Sequence, residues 1–284
     1  MKWILVAAAV ALSSCSLTQK KEEAAAPPPA HLAGYAYECH KLESVKDGSY
    51  CIHTKGTPTR TLWYFHGAGC NQDVLQDTTT CIPGKEGSSE KEFMSRLQNV
   101  AVITVSFGPI WLADPIEPKT MADKDATVEK FVKRIVPELE QKHRLAKPYM
   151  ALGHSMGGFN AAEISLSEPE LFERVVLMHP MFPTCDLFSG EIINEDCWPD
   201  HMVKAEFPKK KWPQVNPLER VKTAPRIPPT WVQVCGTDEF DLVDGPLAYA
   251  DTAMRRGFAV YSEHKTSGCN HFEWNVSSAL EFLK

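Results

Sequence analysis

The sequence contains a serine in a glycine-framed turn, Gly153-His154-Ser155-Met156-Gly157. The apolar run 148–152 before this turn predicts a buried strand, and the alanine-rich stretch 159–166 after it predicts a helix. A chain that passes from a strand directly into a helix leaves no room for side chains two residues on either side of the serine, so glycine is needed there. Ser155 would then lie in a strained turn with its hydroxyl projecting outward, where it could act as a nucleophile.

Two later residues could activate this serine. A serine hydroxyl is a poor nucleophile until a base removes its proton, and the base needs a carboxylate that orients it. Asp238 and His271 each follow a predicted strand. Because open α/β sheets carry their sites at the carboxyl ends of the strands, we expect both side chains near Ser155. Asp241 and Asp244 follow on the same loop as Asp238 and remain alternatives for the acid.

The elements that must position these side chains alternate along the chain. Apolar or β-branched runs predict strands at 61–65, 100–105, 148–152, 174–178, 230–235 and 258–263. Apolar residues at helical spacing predict helices at 90–97, 122–143, 159–166, 247–256 and 272–283, with a kink at Pro137. Asp47-Gly48, between the runs 35–39 and 49–53, predicts a hairpin. This alternation indicates an α/β fold, a mostly parallel sheet with helices on both faces.

Residues 181–228 lack such periodicity and contain seven prolines. A stretch this long without regular elements is usually a functional insertion, so we interpret it as a cap or lid over the site. Four aromatic residues have two open interpretations, as the lining of an acyl or aromatic pocket or as filling of the core: Trp111, Phe182, Trp198 and Trp212.

Four short motifs occur along the chain in this order: HGAG at 66–69, GHSMG at 153–157, GTDEF at 236–240 and CNHF at 269–272. With the order Ser155, Asp238, His271, they make the chain similar to the α/β-hydrolase superfamily, particularly its secreted esterases and lipases, over roughly residues 58–284. GHSMGG also resembles the elbow of cutinase-like polyesterases, and HGAGCNQ resembles the oxyanion segment of polyester and feruloyl esterases. The resemblance implies an α/β-hydrolase fold with a cap and the hydrolysis of carboxylic esters without a cofactor.

The motifs also imply roles for the residues that they contain. Ser155 would be the nucleophile, and His271 would be first the general base and then the general acid. Asp238 would hold the imidazole of His271 in the required tautomer and stabilise the imidazolium.

An oxyanion hole needs two backbone N–H donors that point at the developing charge. The N–H of Met156, at the helix N-terminus, is one candidate. The resemblance implies that the other comes from the HGAG loop, from Ala68 with Gly69 as the alternative. His66 would brace that loop, and His154 would be a packing residue.

The N-terminus has the features of an export signal. Lys2 precedes ten apolar residues, 3–12, which is too short a run to span a bilayer. The sequence Leu12-Ser13-Ser14-Cys15 then resembles a bacterial lipobox, so we expect cleavage of the signal peptide 1–14 and lipidation of Cys15. An ordinary signal peptide is the alternative. Residues 15–33 would be a tether to the domain 34–284, and the protein would be anchored in the cell envelope on its periplasmic or surface side.

Eight cysteines follow Cys15, and an even number behind an export signal predicts disulfides. Eight cysteines allow about 105 pairings, which the sequence leaves open. Their spacing favours neighbours: Cys39–Cys51, Cys70–Cys81, Cys185–Cys197 and Cys235–Cys269. A bridge in the last pair would fix the separation of Asp238 and His271. No metal site is predicted, because no C-x-x-C pair occurs and Asp196, Asp200 and His201 have no recognised ligand spacing.

The expected partners follow from charge and resemblance. A net charge of −6 argues against nucleic-acid binding. The substrate would be a small-molecule or polymer ester, the membrane contact would be the lipid at Cys15, and we expect a monomer. A peptidase or amidase with the same three residues is the enzymatic alternative. A non-catalytic surface-binding lipoprotein is the other alternative, although such proteins usually lack one of the three residues.

Overall fold

One eight-stranded sheet organises the computed structural model, which describes residues 34–75, 88–114, 126–184, 209–238 and 242–284. The strands are β1 Ala36–Lys41, β2 Ser49–Thr54, β3 Arg60–Phe65, β4 Val100–Ser106, β5 Tyr149–His154, β6 Arg174–Met178, β7 Thr230–Cys235 and β8 Val260–Lys265. Their order across the sheet is β1-β2-β4-β3-β5-β6-β7-β8. β2 is antiparallel to both of its neighbours, β1 and β4. The six strands β3 to β8 are parallel to one another.

The described helices are α1 Ser88–Arg96, α2 at 128–143, α3 Met156–Ser167, α4 Trp212–Val215, α5 Pro217–Arg220, α6 Asp244–Arg255 and α7 Val276–Phe282. Within α2, the segment Phe131–Ile135 is π-helical, and the N–H of Val136 donates to the carbonyl of Phe131. Pro137 has no N–H to donate, so the predicted irregularity lies in the turn just before it. The last helix begins four residues later than predicted, because the Asn275 side chain caps it by accepting from the N–H of Ser278.

Helices cover both faces of the sheet, as the sequence predicted. Alternate residues of each strand point to opposite faces, so Trp63 and Phe65 belong to one buried cluster, and Leu62 and Tyr64 belong to another. The first core contains residues of α2, α3 and α6, and the second core contains residues of α1 and α7. The carboxyl ends of β5, β6 and β7 therefore lie between two packed layers, while that of the edge strand β8 is exposed.

The predicted hairpin is confirmed, since β1 pairs antiparallel with β2 and Cys39 lies opposite Cys51. Of the predicted cap, only 181–184 and 209–228 fall within the described residues. Phe182 and Trp212 are buried in the first core, where Trp212 stacks on Phe159 of α3. For these two residues the core interpretation is therefore the better one, while Trp198 lies outside the described ranges.

The predicted signal peptide and tether, residues 1–33, also lie outside the described part of the chain. Among the helices that the structure describes, none combines the length and the apolar character needed to cross a bilayer.

Candidate active site

Ser155 lies in the turn between β5 and α3 with φ 54° and ψ −120°. Positive φ is uncommon for a residue other than glycine, so this backbone is strained and must be held by its surroundings. The Ser155 N–H donates to the carbonyl of Met178 over 3.0 Å, and its carbonyl accepts from the N–H of Met181 over 2.9 Å. These two hydrogen bonds hold the turn against the last residue of β6 and against the segment that follows it.

The glycines around Ser155 are required by close backbone contacts. A Cβ atom on Gly153 would overlap the carbonyl of Gly157, and one on Gly157 would overlap the carbonyl of Phe65 at the end of β3. A Cβ on Gly158 would also be too close to the ring of Pro180. The sequence-based prediction is therefore confirmed: neighbouring atoms occupy the space that side chains at these positions would need, so glycine is required.

Asp238 and His271 come together although they follow different strands. His271 Nδ1 lies 2.7 Å from Asp238 Oδ2, and both side chains are buried. Of the alternatives for the acid, Asp244 is the first residue of α6, and Asp241 lies outside the described residues. Among the described carboxylates, Asp238 is the one that contacts the imidazole.

A disulfide joins the two loops that carry this pair. Cys235 and Cys269 are bonded, with their Cα atoms 5.9 Å apart, as the sequence predicted. Thr237 Oγ1 adds a hydrogen bond of 2.7 Å to the carbonyl of Cys269. The loop ends are thereby connected two or three residues before Asp238 and His271.

The second predicted pair, Cys39–Cys51, is also bonded. Cys70 takes part in a disulfide too, but its predicted partner Cys81 lies outside the described residues, as do Cys185, Cys197 and Cys15.

His154 supports the backbone of His271. Its Nε2 lies 3.0 Å from the carbonyl of His271, and the two rings are 4.8 Å apart. Burial, with smaller contributions from His271 and His179, holds the pKa of His154 well below its usual value. The neutral ring therefore donates from Nε2 to that carbonyl. His154 is thus a packing residue, as expected, and it also fixes the position of the candidate base.

A buried carboxyl lies on the other side of His154. Glu90 Oε1 of α1 is 3.8 Å from His154 Nδ1, and burial raises the pKa of Glu90 to about 7. Because His154 stays neutral, it offers no cation that would compensate an ionised Glu90. The protonated form of Glu90 is therefore favoured far above the pH at which an exposed glutamate loses its proton.

His66 braces the HGAG loop, as the sequence suggested. Trp111 Nε1 donates to His66 Nε2 over 3.0 Å, and the Oγ of Ser106 lies 2.8 Å from the same nitrogen. Burial lowers the pKa of His66 to about 4, so the ring is neutral and carries its proton on Nδ1, 2.8 Å from the Gly67 carbonyl. The loop is therefore connected to β4 and to Trp111 without using a charge.

The structure separates the two candidate donors in this loop. The N–H of Gly69 donates to the carbonyl of Pro109 over 2.7 Å, so it already has an acceptor within the protein. Ala68, the preferred candidate, is partly buried against the first core. Met156 is the first residue of α3, where backbone N–H groups have no partner within the helix.

Two buried polar residues near the site were not identified from the sequence. Asn160 of α3 accepts from the N–H of Ala113 over 2.7 Å and donates to the carbonyl of Trp111 over 3.2 Å. His179 directly follows β6 and faces Asp238. Each had a signal: Asn160 is a polar residue in an apolar helix, and His179 is a histidine at the carboxyl end of a buried strand.

The sequence matches the family model described as "Putative esterase" over residues 49–256. The chain belongs to this esterase family. It is therefore a carboxylic ester hydrolase with an α/β-hydrolase fold, and the expected superfamily is confirmed. A search of curated protein sequences finds no match.

Solved structures of other esterases and serine hydrolases have the same fold. A ferulic acid esterase superposes with a TM-score of 0.62 at 15% identity, over 87% of this chain and 95% of its own. An S-formylglutathione hydrolase from Agrobacterium tumefaciens gives 0.62 at 16%, over 87% and 94%. A fluorophosphonate-binding serine hydrolase from Staphylococcus aureus gives 0.60 at 15%, over 88% and 97%. At such identities these similarities establish the fold of this esterase and leave its substrate open.

Proposed function

We propose that this esterase works through an acyl-enzyme, with Ser155 as nucleophile, His271 as general base and then acid, and Asp238 as the orienting carboxylate. Two observations carry the proposal together: the strained backbone of Ser155 at the strand–helix turn, and the buried His271–Asp238 contact of 2.7 Å. His154 links the two, because it precedes Ser155 and holds the His271 carbonyl.

The reaction follows from these roles. Ser155 Oγ attacks the ester carbonyl carbon while His271 Nε2 accepts the hydroxyl proton, and the carbonyl oxygen becomes an oxyanion. The N–H groups of Ala68 and Met156 stabilise this oxyanion. The tetrahedral intermediate collapses, and His271 gives its proton to the departing alcohol. Water, deprotonated by His271, then attacks the acyl carbon to form a second tetrahedral intermediate. Its collapse breaks the bond to Ser155 Oγ and releases the acid, and His271 returns the proton to the serine. Asp238 stabilises the imidazolium in both halves of the reaction.

The proposal includes export and lipidation. Residues 1–14 would be removed, Cys15 would carry the lipid, and 15–33 would connect it to the enzyme domain 34–284 in the bacterial cell envelope. The disulfides Cys39–Cys51 and Cys235–Cys269 support an oxidising compartment, because such bonds are rare in the cytosol. Intact mass of the protein purified from membranes tests this step. A mass that starts at Cys15 with added acyl chains is expected, and an unprocessed Met1 terminus would contradict it.

A series of p-nitrophenyl esters from acetate to palmitate tests the catalytic proposal. Wild type and Ser155→Ala are compared side by side, with circular dichroism as the check on folding. We expect turnover and labelling by a fluorophosphonate in the wild type, and neither in the variant. Labelling that persists in Ser155→Ala would show that another residue is the nucleophile.

A further inference from the structure

The residue that follows β6, His179, lies behind the candidate acid. Its side chain is fully buried, and its N–H continues the β6–β7 pairing by donating to the Gln233 carbonyl over 3.0 Å. Its φ of 44° is left-handed, which is uncommon for histidine and must be held by its contacts. The ring lies 5.6 Å from that of His271 and 6.4 Å from that of His154.

The groups that face the two ring nitrogens determine the tautomer of His179. Gln233 Oε1 accepts from the N–H of Asn275 over 2.6 Å, which fixes the orientation of the amide. Its Nε2 then lies 2.8 Å from the carbonyl of Glu273 and 3.0 Å from His179 Nε2. His179 Nε2 also lies 3.1 Å from the carbonyl of Glu273, so it has both a donor and an acceptor within hydrogen-bond distance, and this side of the ring fits either tautomer. The group that faces Nδ1 therefore decides between the two tautomers.

The Nδ1 atom of His179 faces the carboxylate of Asp238. It lies 3.9 Å from Asp238 Oδ2, the same oxygen that contacts His271 Nδ1 at 2.7 Å. This distance is too long for a hydrogen bond, so the contact is electrostatic. All three side chains are buried, and in such surroundings a bare Nδ1 would set its lone pair against the carboxylate, whereas the dipole of an Nδ1–H group attracts it.

We propose that His179, as the neutral Nδ1–H tautomer, is a positioning residue that keeps the Asp238 carboxylate turned toward His271. The inference rests on the proposed function, in which Asp238 orients the base. Among the described residues, the titratable side chains that face His179 are Asp238, His271 and His154, while Glu273 presents its backbone carbonyl.

Two substitutions distinguish the role of His179 Nδ1 from that of Nε2. The amide of His179→Asn reaches the place of Nδ1, and the amide of His179→Gln reaches the place of Nε2. We expect His179→Asn to retain kcat within about threefold. We expect His179→Gln to lower kcat about tenfold or more with KM unchanged, even where its melting temperature equals that of His179→Asn. The reverse order, or equal losses in both variants, would overturn the proposal.

The tautomer is measured independently of activity. The imidazole ¹⁵N chemical shifts of the ¹⁵N-histidine-labelled full chain, assigned with His179→Asn, report which nitrogen is protonated. A protonated Nδ1 with a bare Nε2 is expected. A protonated Nε2, or a doubly protonated ring, at neutral pH would overturn the inference even if Ser155-dependent turnover is observed. Failure of the proposed function would instead appear as turnover that survives Ser155→Ala.

Discussion

His271 Nδ1 lies 2.7 Å from Asp238 Oδ2, although 33 residues separate them in the chain. Two connections produce this contact. β7 and β8 are parallel neighbours, with Cys235 opposite Lys265, so the loops after them leave the same edge of the sheet. The Cys235–Cys269 disulfide then joins those loops close to the two side chains. The contact is therefore fixed by the backbone before any substrate binds, which is the preorganisation that this chemistry needs.

Asp238→Asn tests the identity of the acid. An amide can present its N–H to His271 and select the wrong tautomer, so we expect kcat to fall about 10⁴-fold with little change in stability. Asp244→Asn is the matched control, since Asp244 begins α6 and should leave kcat within a few-fold of wild type. Steady-state kinetics on one activated ester suffices. If Asp244→Asn were the inactive variant, the assignment would be wrong.

Removal of the Cys235–Cys269 bridge should reduce both stability and activity. With a sequence separation of 34 between the cysteines, the chain-entropy relation gives a loss of about 4 kcal/mol in the double serine variant. Because the bridge joins the loops of Asp238 and His271, we also expect a lower kcat in the fraction that remains folded. Urea unfolding and active-site titration measure the two effects.

The Cys39–Cys51 bridge provides the comparison for that variant. It spans 12 residues between β1 and β2, at the far end of the sheet from β7 and β8. Its double serine variant should lose about 3 kcal/mol of stability and keep its kcat. Equal kcat in both double variants would mean that the Cys235–Cys269 bridge only stabilises the fold.

Exchange of one backbone N–H group for oxygen tests the second oxyanion donor. Replacement of Ala68 by lactic acid, through an ester in the backbone, removes one N–H without changing the side chain. We expect kcat to fall roughly 10²–10³-fold with KM nearly unchanged, since the donor acts on the charge that develops in the transition state. The same exchange at Gly69 removes its hydrogen bond to Pro109 and should mainly lower stability. A larger kcat loss at Gly69 would reassign the donor.

Glu90 should make stability depend on pH. Burial raises its pKa from 4.5 to about 7 in the folded state, so the folded protein binds a proton that the unfolded chain has released. Its contribution is fully present below pH 4.5 and is lost as the pH rises through 7. Glu90→Gln does not titrate, and we expect its stability relative to wild type to rise by about 3 kcal/mol from pH 4 to pH 8.

The control for this titration lies in the same helix. Glu92 is exposed and pairs with Arg96, so Glu92→Gln should change the free energy of unfolding by less than about 1 kcal/mol at every pH. Urea unfolding at pH 4, 6 and 8 measures all three proteins. Stability curves for wild type and Glu90→Gln that run parallel across this range would contradict a raised pKa of Glu90.

The local features of the site could be predicted from the sequence. The strand, turn and helix around Ser155 follow from the apolar runs and from glycines whose missing side chains make room for neighbouring backbone. The two described disulfides followed from the order of the cysteines. The pairing of Asp238 with His271 was predicted from their positions after successive strands, because parallel strands bring their carboxyl ends to one edge.

The supporting residues could not be predicted in the same way. The contact between Glu90 and His154 depends on how α1 packs across the end of β5, and the use of the Gly69 N–H depends on where the loop after β4 places Pro109. The sequence around Glu90 and the sequence around Gly69 contain no local pattern that indicates these partners. The late start of α7 has a local cause, the Asn275 cap, but the apolar residues before it obscured the boundary.

Ser155 stands where the two cores meet. Its predecessor, His154, packs on Trp274 of the second core, with ring centroids 5.5 Å apart, while its successor, Met156, belongs to the first. A strained turn that depends on both layers relaxes when either of them loosens. Thermal inactivation of the enzyme therefore occurs when the less stable of the two cores loosens. The half-life of activity on heating reports the stability of that core rather than the stability of the whole protein.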